Sequence, residues 1–151
     1  MKNLLFFILL LFLSACTATL SKEPRAYSVF LDKSFVKNLD FKGRELIPIR
    51  IKNSWYYVNS SGKAMPVMLD EEGRVDSFKE GFARTRINGK IGFFDKNLDI
   101  VLEPIYDYAF PFYNGVAEIC IGCKEFSSNG NSLLDGGVWK RIDRRGLILE
   151  E

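Results

Sequence analysis

The 151-residue chain carries 21 basic and 19 acidic side chains for a formal net charge of +2, 47% hydrophobic residues and no histidine. That balance favours neither nucleic acid nor an acidic membrane as a charge-driven partner. The missing imidazole removes Ser-His-Asp and Cys-His machinery, histidine-ligated zinc and the ordinary neutral-pH acid/base catalyst. No glycine-rich phosphate loop followed by Lys and Ser/Thr is present, and no cofactor or metal is expected. The 13 Phe and 6 Tyr fall in short runs broken by glycine and asparagine. This pattern favours strands and turns.

In chain order, residues 1–15 combine Lys2 with an unbroken apolar run from Leu4 to Leu13 and then Ser14-Ala15. The run is too short for a permanent transmembrane helix and has the make-up of an export signal. Leu13-Ser14-Ala15-Cys16 resembles the lipobox of bacterial lipoproteins, which implies cleavage before Cys16, a diacylglyceryl group on its thiol and often a further acyl chain (palmitate class) on the new amino terminus. Two or more acyl chains hold a protein durably on a membrane. The alternatives are an ordinary secretory signal cut after Ala15 or at Ala18, and an uncleaved anchor. Thr17 follows the cysteine where aspartate would favour inner-membrane retention, so the outer membrane is expected if the cell has one. Loss of residues 1–15 removes Lys2 and leaves 20 basic against 19 acidic residues, a net charge of +1.

Residues 16–25 read as a lipidated cysteine and a flexible tether, small and polar and broken by Pro24. Residues 26–54 read as N-terminal strands: a strand at Tyr27–Leu31, a short helix or turn capped by Asp32, then Ile47-Pro-Ile-Arg-Ile-Lys alternating apolar with polar residues. Pro48 places that strand at a sheet edge. Asn53-Ser54 offers a turn into Trp55-Tyr-Tyr-Val.

Residues 55–151 repeat. Phe78, Gly81 and Ala83 match Phe112, Gly115 and Ala117 at an interval of 34, while Trp55-Tyr-Tyr-Val-Asn, Ile91-Gly-Phe-Phe-Asp and Trp139-Lys-Arg-Ile-Asp align at intervals of 36 and 84. Each unit gives a glycine turn, a strand, a tight turn and a second strand closing on Asp or Asn. Asn88-Gly89 is the best hairpin signal, since both residues tolerate the positive φ of a type I′ turn. One hairpin is marginal alone, so neighbours must stack. The expected fold is therefore all-β, with antiparallel hairpin repeats in a curved sheet or solenoid-like array.

These residues resemble the WG-repeat family, whose units read approximately F-x-x-G-x-A, then N-G-K-W-G-[FY]-I-D-x-x-G, then P-x-Y-D. The resemblance runs from Phe78, Gly81 and Ala83 through Asn88, Gly89, Gly92 and Asp95 to Pro104 and Tyr106. It continues at Phe112, Gly115, Ala117, Trp139, Asp143 and Gly146. Ile91 stands at the signature Trp, Lys140 follows Trp139 in place of Gly, and Asn97-Leu98-Asp99 lacks the turn glycine. The resemblance implies an all-β repeat scaffold, often exported or envelope-associated and mostly without an assigned activity.

Cys120-Ile-Gly-Cys123 has reactive potential as a redox dithiol, half a zinc site or a structural disulfide. In an oxidising envelope a disulfide at the base of the Lys124–Gly136 insertion is expected, and in a reducing compartment two buried strand cysteines. The insertion reads as a long polar loop with an apolar Leu133-Leu134 tip, a place for recognition. Tyr106, Tyr108, Phe110 and Phe112 alternate, so they share a side in extended chain, opposite Ile105, Asp107, Ala109 and Pro111. They are read first as core and otherwise as an aromatic platform for glycan or peptide. Arg84 and Arg86 read as a solvated outer face, and Glu71-Glu72 as a solvated turn. Two function classes follow: a lipid-anchored, non-catalytic envelope scaffold binding a protein or glycan, or an envelope enzyme, either a carboxylate hydrolase or a thiol redox protein using Cys120 and Cys123.

Overall fold

A computed structural model of the chain describes residues 27–128 and 131–150. The export signal, Cys16 and the tether lie outside the described residues. The fold is nearly all β, in three consecutive antiparallel sheets. The first contains β1 (Val29–Phe30), β2 (Leu46–Ile51), β3 (Ser54–Asn59) and β4 (Lys63–Val67), in the order β1-β4-β3-β2. Between β1 and β2 a single helical turn, α1 (Lys33–Val36), starts where Asp32 Oδ1 accepts the Ser34 amide at 2.7 Å. Pro48 lies in β2, the edge strand, where its missing N–H interrupts no ladder.

The middle sheet is the meander β5 (Ala83–Ile87), β6 (Lys90–Phe94) and β7 (Ile100–Tyr106). The third holds β8 (Tyr108–Ala109), β9 (Val116–Ser128), β10 (Asn131–Asp143) and β11 (Ile148–Leu149), in the order β11-β10-β9-β8. The expected hairpin repeats thus appear as three meanders. Their turns share one chemistry. Glu80-Gly81 and Asn114-Gly115, 34 residues apart, both take positive φ and close two-residue turns through Lys79/Phe82 and Tyr113/Val116. Asn88 (φ 51°) and Gly89 (φ 79°) turn β5 into β6 with the paired positive φ of a type I′ turn.

Four further turns are headed by Asn59, Asp70, Asp95 and Asp143. In each, one side-chain oxygen accepts the amides two and four residues on, and the residue three on takes positive φ. That residue is glycine in three cases and Leu98 (φ 62°) in the fourth. Leu98 is fully buried. Its burial offsets a left-handed conformation that costs a non-glycine residue about 1–2 kcal/mol, which accounts for the missing turn glycine.

The middle sheet lies between two cores. Adjacent residues of a strand point to opposite faces: Phe94 joins Met65, Val67 and Ala83 against the first sheet, while Phe93 and Ile91 join Phe112, Ala117, Ile119 and Ile142 against the third. The repeated phenylalanines do the same work on successive interfaces, Phe78 meeting Phe94 (5.6 Å between ring centres) and Phe112 meeting Phe93 (4.9 Å). Gly92 lets β7 cross closely, because a Cβ there would sit 2.7 Å from Leu102 O and Pro104 N. Lys140, at the matching place beside Trp139, is exposed with no such crossing among the described residues.

The described part of the Lys124–Gly136 segment is no loop. β9 and β10 remain paired from Val116/Asp143 out to Ser128/Asn131, so this stretch forms the outer half of one long hairpin. Leu133 and Leu134 face Phe126 and Glu125 across it and are not its tip.

Candidate functional site

A groove of about 880 Å³ opens between the end of β3 and β4 (Asn53, Ser54, Trp55, Pro66, Val67), the 68–71 segment, and Arg86, Tyr108, Glu125 and Leu134 of the other two sheets. Behind the lining residue Glu71 lies an ion pair whose arginine the sequence reading placed on a solvated outer face. Arg84, read from sequence as solvated, is 1% exposed. Asp76, also buried, receives the Arg84 backbone amide on Oδ2 (2.8 Å) and its guanidinium on Oδ1 (2.7 and 3.2 Å). Arg84 Nη1 donates to Ala109 O at 2.9 Å and lies 3.5 Å from Glu71 Oε1, so one side chain ties the middle sheet to the third. Both sides of β5 are covered, and alternation distinguishes sides but not what covers them. Arg86, half-buried, pairs with Glu125 across the groove at 3.3 Å.

Glu71 stays exposed at the groove lip, as its turn suggests, yet it is not idle. Its Oε1 accepts the Tyr108 hydroxyl at 2.9 Å. Partial burial works against the Glu71 carboxylate but is outweighed by its own backbone amide, Tyr108 and Arg84, so its pKa falls below the ordinary value. The Tyr108 phenol is pushed up to about 12, first by burial and then by the bond to Glu71. Around neutral pH this pair is therefore a neutral donor on a fixed carboxylate. Glu72 pairs with Arg74 at the surface (2.7 Å).

The four alternating aromatics do not form one platform. β7 ends at Tyr106 and β8 begins at Tyr108, and Tyr106, Tyr108 and Phe112 are buried. Phe110 is 40% exposed and stacks on Trp139, itself 43% exposed, with centres 5.9 Å apart and planes at 28°. Both also touch the Tyr108 ring, at 5.2 and 6.2 Å. An aromatic shelf therefore adjoins the groove, and Trp139 belongs to it through the register that sets Tyr108, Cys120 and Trp139 side by side across β8, β9 and β10.

Cys120 and Cys123 are joined as a disulfide within β9, at the neck of the long hairpin. Between them Gly122 (φ 83°) and, opposite it on β10, Gly137 (φ 74°) take the left-handed backbone that glycine allows, without a change of register. Gly137 faces the bridge so closely that a Cβ there would lie 2.5 Å from Cys120 Sγ and from Cys123 N. Asp107 anchors the same neck, bonded to Lys90 Nζ and accepting the Gly122 amide at 2.7 Å. Lys90, then Gly122, hold its carboxyl below the usual range against partial burial. Both sulfurs belong to buried residues, a poor setting for thiol exchange.

The structure thus brings together Tyr108, Glu71, Arg86, Glu125 and Trp55, which are remote in sequence. The repeat residues Phe78, Ala83, Gly92, Tyr106, Phe112 and Ala117 sit in or against the cores, and Gly81, Asn88, Gly89, Asp95, Gly115, Asp143 and Gly146 in turns. A family model described as the WG containing repeat matches residues 73–90 and 91–124, spanning the turn before β5 through the first half of β9. Residues 1–72 and 125–151 lie outside the match. Neither a curated protein nor a solved structure matches the chain.

Proposed function

We propose that the protein is a lipid-anchored, non-catalytic binding protein of a bacterial cell envelope whose inter-sheet groove holds a protein or glycan partner. The groove is the observation that carries this reading: its volume falls within the range of about 300–1,000 Å³ typical of ligand sites, and polar and charged side chains share its lining with apolar ones. The export signal and Cys16 support the membrane tether, Thr17 supports the outer membrane, and the disulfide suits an oxidising compartment. Hydrolysis is the rival reading, because Asp70, Glu71 and Glu125 line one cleft. A glycosidase acid needs a raised pKa, whereas Glu71 and Asp70 are lowered and Glu125 pairs with Arg86.

Two measurements on the full chain in cells test this. The native chain fractionates with membranes and Cys16→Ala does not. A photoreactive residue at Leu69, on the groove lip, gives a dominant adduct that Arg86→Ala weakens, whereas one at Leu147, which does not line the groove, gives none. A soluble native chain overturns the anchor, and equal labelling at both positions, or none at Leu69, overturns the groove.

A further inference from the structure

Taking the groove as the binding site, we propose that its occupant is an uncharged glycan, several neutral or N-acetylated sugar rings in a chain. A pyranose has apolar C–H faces that lie flat on aromatic rings and a rim of hydroxyls that donate to carboxylates. The site offers both. Phe110 and Trp139 form a stacked, solvent-facing shelf, and Tyr108 links that shelf to the groove. Beside Tyr108, the Glu71 side chain remains 59% exposed while Tyr108 and Arg84 fix its position, so an oriented acceptor awaits ligand hydroxyls without a reorganisation cost. Trp55 supplies a further half-buried ring on the far wall.

Charge narrows the class. The groove is lined by three carboxylates, and each already has an arginine: Asp70 has Arg74, Glu71 has Arg84 and Glu125 has Arg86. A uronic-acid or phosphorylated glycan would find no cation left over for its own charge among the lining residues. A lysine-bearing peptide would meet carboxylates that are already paired and would give the aromatic shelf no matching surface. The groove alone is at the upper end of ligand-site volumes, and the shelf extends it, which suits an oligosaccharide over a single sugar.

The test is calorimetric titration of the full chain in detergent micelles with hexamers of N-acetylglucosamine, glucose and galacturonate and with a lysine-containing decapeptide. At least one neutral hexamer is expected to bind and to be recovered intact. Phe110→Ala and Trp139→Ala, which truncate exposed rings and leave the far-ultraviolet spectrum unchanged, each weaken it about tenfold. Glu71→Gln weakens it several-fold, and galacturonate binds at least about tenfold more weakly. Preferred binding of galacturonate or of the peptide, hydrolysis of a hexamer, affinity indifferent to Phe110, or no saccharide binding by the folded chain overturns the proposal. If no saccharide binds while the Leu69 adduct persists in cells, the ligand class is wrong and the groove reading stands; if both are absent, both fall.

Discussion

Asp76 and Arg84 in the first matched unit correspond, 34 residues on, to Phe110 and Glu118 in the second, each pair flanking a two-residue turn that ends in glycine. In the first unit the pair is a buried ion pair, with two guanidinium nitrogens on one carboxylate oxygen and the Arg84 backbone amide on the other. In the second the same places are exposed, and Phe110 joins Trp139 in an open shelf. Position in the array explains the divergence, since β5–β7 lie between two sheets while β8–β11 have one face open. The turn glycines, the small Ala83 and Ala117 and the core rings Phe78 and Phe112 are what the hairpin itself requires. Other positions take the chemistry of whatever covers them.

This contrast can be broken most forcefully at Asp76. Asp76→Ala strands the Arg84 guanidinium in a dry site and is expected to cost about 3–5 kcal/mol in denaturant unfolding, whereas the double change Asp76→Leu with Arg84→Met recovers most of that loss. Phe110→Ala, at the matching place, should cost well under half as much. Gly92→Ala forces a Cβ against the β7 backbone and should destabilise by about 1–3 kcal/mol, while Lys140→Ala in the second unit stays within about 0.5 kcal/mol. Replacing Cys120 and Cys123 by serine opens a small covalent loop in the unfolded chain and should cost about 2 kcal/mol, visible as a lower midpoint that reductant no longer changes.

Alkaline titration sharpens the comparison further. Folding keeps Tyr108 protonated, so its contribution to stability is complete below pH 10 and is lost as pH rises toward about 12. Absorbance at tyrosinate wavelengths should show a late-ionising phenol that Tyr108→Phe removes. A modest gain is expected at Thr85, whose buried hydroxyl has no hydrogen-bond partner among the described residues; Thr85→Val should raise stability by up to about 1 kcal/mol.

Much of the fold was legible because its signals are local. Asn88-Gly89 carries its own backbone preference, Pro48 can be tolerated only where no ladder bond is lost, and Asp32 caps the turn that follows it. The Asx-headed turns are equally local, so Asp95 and Asp143 could be aligned despite Leu98. The site was poorly legible because its contacts are distant: Glu71 meets Tyr108 across 37 positions, and Arg84 meets Ala109 across 25. Arg84 was misread because alternation predicts a side and not its cover. The long hairpin was misread as a loop because its polar composition hid the strand signal. Among the aromatics, the bend at Asp107 breaks the extended run that would have aligned all four.

In the function proposed above, the inter-sheet groove and its aromatic shelf are the face that meets a partner. Hydrogen-exchange mass spectrometry of the full chain, purified in detergent and in isolated native envelopes, tests it most directly. Added protection in envelopes is expected at residues 66–71, 108–110 and 133–140, with the already protected β5–β6 hairpin unchanged. Protection confined to other surfaces, or identical exchange in the two settings, would contradict it.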